Sequence, residues 1–108
     1  MAEPPVILWN LVGNFTDCPE AYEFLREFRE QMGSGTEAVL VDLSQLDHMS
    51  SCGAGILAAC LASASNAARR LVFSGLSRRS DSILTVVGLR KVMQIYPTQE
   101  AAVQALRT

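Results

Sequence analysis

The residue types that could do chemistry crowd into one stretch, 42-DLSQLDHMSSCGAG-55. It holds Asp42 and Asp47, the chain's single histidine, His48, a serine pair, Ser50 and Ser51, and Cys52. A Ser51–His48–Asp42 triad can be drawn from it, because a serine nucleophile needs a base beside it and an acid to orient the base. The glycine-x-serine-x-glycine spacing of a nucleophile elbow is absent. Asp47 adjoins His48, but neighbours on a turn need not face each other. The chain is therefore not expected to be an enzyme, no catalytic residue is assigned, and His48 is read as a turn or surface histidine.

Metal and nucleotide chemistry are equally unsupported. One histidine and three separated cysteines, Cys18, Cys52 and Cys60, make no ligand set. An odd cysteine count also argues against a disulfide framework. Gly53 and Gly55 lack the lysine that completes a phosphate-binding loop. No metal and no cofactor is expected. Cys52 is read as a small residue filling a tight place.

The serines can serve as a cap or as a switch. A hydroxyl at the start of a helix accepts an unpaired backbone N–H, and this is the plain reading of Ser50 or Ser51. The same helix end favours an anion through its free N–H groups and dipole. A phosphoserine there would add about two negative charges and three strong acceptors. Small neighbours, Gly53 and Ala54, would let a phosphate or a partner come close.

These residues must be positioned by the elements around them. Residues 6–12 read as a strand ending at Gly13. Thr16 or Asp17 can cap a helix, with Glu20 completing a capping box and Gly33-Ser34-Gly35 ending it. Its inward face is Leu25, Phe28 and Met32, flanked by Tyr22 and Phe24. Residues 38–43 form an apolar strand covered on both faces and ending near Asp42, and 44–50 form a polar turn. A helix of small residues follows, from about Cys52 to Ala68. Then come a strand at 71–75, a helix through Ile83, Leu84 and Val87 with Gly88 as its stop, a strand at 92–96, and a last helix capped by Thr98. Alternating strands and helices with short connections predict a mainly parallel sheet with packed helices.

Composition sets the outer bounds. The chain of 108 residues suits one domain spanning residues 1–108, and 49% hydrophobic with 19% charged residues is globular. A formal net charge of −2 lacks the basic excess of a nucleic-acid binder. Arg69-Arg70, Arg78-Arg79 and Arg90-Lys91 read as solvated surface. No apolar run reaches membrane-spanning length, so direct membrane insertion is not expected. The opening MAEPPVILW has no basic region before its apolar stretch, so it is not read as a secretion signal and a cytoplasmic location is expected.

The stretch 39-VLVDLSQLDHMSSCGAGILAAC-60 resembles the STAS domain family, that of the bacterial anti-sigma factor antagonists. That family has an apolar strand ending in Asp-Leu-Ser, a short turn, then Asp-Ser-Ser-Gly or Asp-Ser-Thr-Gly opening a helix. The segments 71-LVFSGLS-77 and 86-VVGLRKVMQIYPTQEAAVQAL-106 resemble its closing pattern, so the likeness runs from about Val6 to Leu106. It implies an α/β fold, a mixed, mainly parallel sheet of about four or five strands with packed helices, often with an additional N-terminal strand.

It also implies a function. Ser51 matches the serine phosphorylated in regulated members, with Ser50 as the alternate acceptor. Gly53 matches the family glycine, Cys52 stands for the second Ser or Thr, and Asp42 matches the acid ending the strand. Ser50 stands where the family has an aspartate. The implied partner is an anti-sigma factor that is also a serine kinase, with a phosphatase reversing the switch. The implied contact surface comprises Asp42, His48, Met49, Ser50, Ser51, Cys52, Gly53, Ala54, Ile56 and Leu57. Other members are subunits of phospholipid-transport ABC systems that bind the transporter ATPase, or build stress-signalling assemblies.

Overall fold

The computed structural model describes residues 6–16, 19–33 and 37–107. Along them run β1 (Val6–Phe15), α1 (Pro19–Met32), β2 (Ala38–Met49), α2 (Ser51–Asn66), β3 (Leu71–Ser74), α3 (Arg78–Val86), β4 (Ile95–Tyr96) and α4 (Gln99–Arg107). The strands lie in the order β1-β2-β3-β4, and all three pairings are parallel. Parallel neighbours need crossover connections, and a helix supplies each one. The predicted α/β sheet thus has four strands. The antiparallel member of a mixed sheet does not occur among the described residues. The opening residues, read as too short for the family's full additional N-terminal strand, the Asp17 cap and the Ser34-Gly35 helix end lie outside them.

A parallel sheet has to be sheltered on both faces. On one face, Phe24 and Phe28 of α1, Ile56, Leu57 and Cys60 of α2 and Leu84 of α3 join Val39, Val41, Leu71 and Phe73 in the main core. On the other, Ala102 and Leu106 of α4 cover Leu40 and Val72. Trp9 packs its ring 5.3 Å from Phe24 and 5.2 Å from Phe28, which ties α1 to β1. The inward face of α1 is Ala21, Phe24, Phe28 and Met32, one step round from the predicted one, with Leu25 at its margin and Tyr22 exposed.

The central correction concerns β2. A polar turn was predicted at 44–50, but the strand continues to Met49. Asn10 faces Asp42 while Val12 faces Gln45, and Gly13 faces Leu46 while Asn14 faces His48. At each shift β2 contributes one residue more than β1, which is a bulge. The buried residues are therefore Leu43, Leu46 and Met49, every third position. No strand alternation has that period, so the sequence pattern hides the strand.

Asp42 holds the first bulge. One carboxylate oxygen accepts the Ser44 N–H at 2.7 Å and the Ser44 hydroxyl at 2.5 Å, and the other accepts the Ser74 hydroxyl at 3.2 Å. Gly75 follows with φ +71°, where a Cβ would stand 2.6 Å from the Ser44 Cβ. Only glycine fits both the backbone and the space.

Three further expectations change. Residues 92–96 yield only a two-residue strand, because Val92 and Met93 donate their N–H groups to the Leu89 carbonyl in a turn. Val87 follows α3 with 41% exposure instead of pointing inward. Arg69 is buried, not solvated. Its guanidinium donates to the Glu37 carbonyl at 2.8 Å and the Gln31 carbonyl at 2.6 Å and pairs with the Glu37 carboxylate at 3.1 Å. It ties the end of α1 and the start of β2 to the loop before β3.

Candidate functional site at the start of the second helix

The second bulge delivers the chain to α2. Ser50 precedes the helix in extended conformation, and its Oγ accepts the Gly53 N–H at 3.1 Å. Its carbonyl accepts the Ala54 N–H at 2.9 Å, and its own N–H donates to the Phe15 carbonyl at 3.2 Å. Ser50 is thus the helix cap, with its hydroxyl engaged and its side chain half-buried. Ser51 is the first helical residue and is exposed, and its hydroxyl makes no hydrogen bond among the described residues. The two serines that read alike in sequence differ in tertiary structure.

Gly53 explains how tightly this corner is built. A Cβ there would lie 2.0 Å from the Phe15 carbonyl oxygen, so the end of β1 runs directly against the first turn of α2. Phe15 is held in turn by its ring contact with Phe24, at 5.7 Å. No acidic side chain lies in the first turn of α2, so that turn itself supplies no counter-charge to the helix's N-terminal positive potential.

The predicted contact residues divide sharply. His48, Ser51 and Cys52 are exposed at the surface and Ser50 is at its margin. Met49, Ala54, Ile56 and Leu57 are buried in the core, and Gly53 is buried against Phe15. These five lie beneath the surface of the corner rather than on it. Asp42 is also buried, and five residue steps of the paired β1 separate its partner Asn10 from Phe15, the partner of Met49. That places Asp42 roughly 15–20 Å from the corner. A Ser51–His48–Asp42 triad is geometrically impossible. Burial pushes the Asp42 carboxyl up, but hydrogen bonds from Ser44, Gln99 and Ser74 prevail and hold it below the ordinary value.

Two exposed residues join the surface without having been foreseen. Gly55 lies one helical turn beyond Ser51, with open space where a Cβ would be. Spacing four residues apart was the available sequence signal. Asn14 is brought opposite His48 by strand pairing, for which no sequence signal exists. Burial raises the Cys60 thiol to about 12, leaving it unreactive. A surface hollow of about 400 Å³ is lined by Pro19, Glu20, Glu23, Phe24 and Glu27, without His48 or Ser51. Among the described residues no group of three or more His, Cys, Asp or Glu could hold a metal, and no helix is long and apolar enough to cross a membrane.

The family model of the STAS domain matches residues 6–102. This chain belongs to the STAS domain family. Solved structures share its fold. The anti-sigma factor antagonist SpoIIAA in its unphosphorylated form is 18% identical with a TM-score of 0.82, over 99% of this chain and 92% of that one. The STAS domain of a SulP transporter from Vibrio cholerae is 23% identical with a TM-score of 0.77, over 93% and 79%. A chain of the stressosome, a signal integration and transduction hub, is 17% identical with a TM-score of 0.70, over 92% and 87%. No functionally curated protein sequence matches significantly. At these identities the likeness is one of fold. The candidate contact surface of this STAS domain is the exposed corner of His48, Ser51, Cys52 and Gly55.

Proposed function

We propose that this STAS domain is an anti-sigma factor antagonist, binding a kinase-like anti-sigma factor through the start of α2 and switched by phosphorylation of Ser51. One observation carries the reading: the Ser51 hydroxyl is exposed and free of hydrogen bonds among the described residues, while that of Ser50 is occupied in capping. A kinase needs the former kind of hydroxyl. The aspartate expected at position 50 would also cap a helix, and Ser50 performs that part without the charge. A phosphate on Ser51 would sit on a helix end with no acid in its first turn and would place about two negative charges in the middle of the contact surface. The fold likeness to unphosphorylated SpoIIAA supports the same reading.

A second reading is that of an accessory subunit of a phospholipid-transport ABC system, bound to its ATPase through the same corner; the fold likeness to the STAS domain of a SulP transporter supports a transport role only in general. One experiment separates them. The protein is incubated with a kinase-like anti-sigma factor and ATP, and phosphosites are mapped by mass spectrometry. The antagonist reading expects one phosphate, on Ser51, tight binding of the unmodified protein and of Ser51→Ala, and weak binding of Ser51→Asp. Phosphate elsewhere with unchanged binding overturns the switch. Copurification with a transporter ATPase from the native cell, lost when Gly55 is enlarged, favours the second reading.

A further inference from the structure

The two edges of the sheet are managed in opposite ways. β4 is two residues long, which leaves little unpaired backbone. β1 runs for ten residues, Val6–Phe15, carries no charged residue, and has no strand on its outer side among the described residues. Natural sheets blunt such edges with charge, proline or brevity, since a long apolar edge is a template for another strand. β1 uses none of these between Val6 and Val12.

The face of β1 is also left open. α4 lies over β2, β3 and β4, and Leu8 and Val12 stand 44% and 68% exposed on the α4 side of the sheet, either side of Asn10. Asn10 is exposed, and its side-chain oxygen accepts the Gln99 amide at 3.0 Å.

We infer that the β1 edge pairs with the β1 edge of a second copy of this chain, antiparallel about a two-fold axis at Asn10. In that register Leu8 lies opposite Val12 of the second copy and Val12 opposite its Leu8, so both exposed apolar side chains on each strand are covered at once. On the other face Trp9 meets Leu11. An uncharged strand is matched by an uncharged strand, and the two-fold axis makes the interface closed rather than fibre-forming. The edge is about 33 Å long, so the contact falls below about 1,200 Å² in total, the class of weak, reversible interfaces. A micromolar dimer is the consequence. The inference is independent of phosphorylation at Ser51.

Sedimentation equilibrium between about 1 µM and about 1 mM spans this range. The native chain should pass from monomer to dimer, and Val12→Lys should weaken the dimer at least tenfold while its circular dichroism is unchanged. In a Cys18→Ser, Cys52→Ser background, Asn10→Cys should form a disulfide dimer on mild oxidation, because residues on such an axis have Cα atoms about 5 Å apart. Leu8→Cys should not cross-link with itself but should cross-link with Val12→Cys. A native chain that stays monomeric throughout overturns the inference, as does Leu8→Cys cross-linking with itself as readily as Asn10→Cys.

Discussion

The Phe15 carbonyl oxygen occupies the space that a side chain on Gly53 would need, 2.0 Å from an added Cβ. The same oxygen accepts the Ser50 N–H. One backbone group at the end of β1 therefore sets both where α2 begins and how its first turn is oriented. Gly53→Ala should cost about 3 kcal/mol, at the upper end for overpacking, because backbone rather than a flexible side chain must move. Urea unfolding measures it. Gly55→Ala, with open space around it, should be neutral or slightly stabilising.

The serine pair should separate cleanly. Ser50→Ala removes the cap and should cost about 1 kcal/mol in thermal or urea unfolding. Ser50→Asp should retain the stability, since its carboxylate can accept the same N–H. Ser51→Ala should leave stability within about 0.5 kcal/mol of the parent. Equal losses at both positions would contradict the assignment of the cap to Ser50.

A negative charge on Ser51 should not unfold the domain. Phosphorylation or Ser51→Asp should leave stability unchanged or raise it by about 0.5 kcal/mol, through the N-terminal dipole of α2, whose first turn carries no acid. Any loss of partner binding should then come with an undiminished melting temperature. A lowered one would mean that the charge acts by loosening the corner.

Asp42 should give the fold an acid-sensitive component. Its carboxyl is held below the ordinary value of 3.8 in the folded state, so its contribution is fully present above that pH and is lost as pH falls through the lower folded value. Asp42→Ala should cost about 2 kcal/mol at neutral pH by leaving Ser44 and Ser74 donors unpaired. The gap between parent and variant should narrow only below about pH 4. A gap constant down to pH 2 would show that the charge contributes nothing.

Arg69 is the test of a buried clamp. Arg69→Ala should cost about 3 kcal/mol, because it leaves the Glu37 and Gln31 carbonyls without their donor and the Glu37 carboxylate without its partner. Arg70→Ala, an exposed neighbour, should cost less than about 0.5 kcal/mol in the same unfolding assay.

The sequence alone determined the alternation of strands and helices, because apolar periodicity and capping residues are local. Residues 38–43 read as a strand covered on both faces and 71–75 as a short strand, and Val39–Val41 and Leu71–Phe73 are buried strand residues. The neighbourhood of the candidate site was legible too, since serine, glycine and small residues cluster there. Other features depended on pairing between distant segments. The run from Leu43 to Met49 looks like a turn until β1 lies beside it, for its two bulges exist only as a mismatch between strands. Arg69 and Arg70 are identical in type, and only the carbonyls of Gln31 and Glu37 distinguish the buried one.

Ser50 and Ser51 show the same division at the site itself. The sequence put a hydroxyl pair at the start of a helix. Which hydroxyl caps and which stays free followed from where Phe15 and Gly53 meet, because that contact fixes the first residue of α2 and with it the direction of both side chains. Composition marked the corner as small and polar. Only the tertiary structure decided that Gly53, Ala54, Ile56 and Leu57 build it while His48, Ser51, Cys52 and Gly55 face outward, since burial depends on what packs against a residue and not on its type.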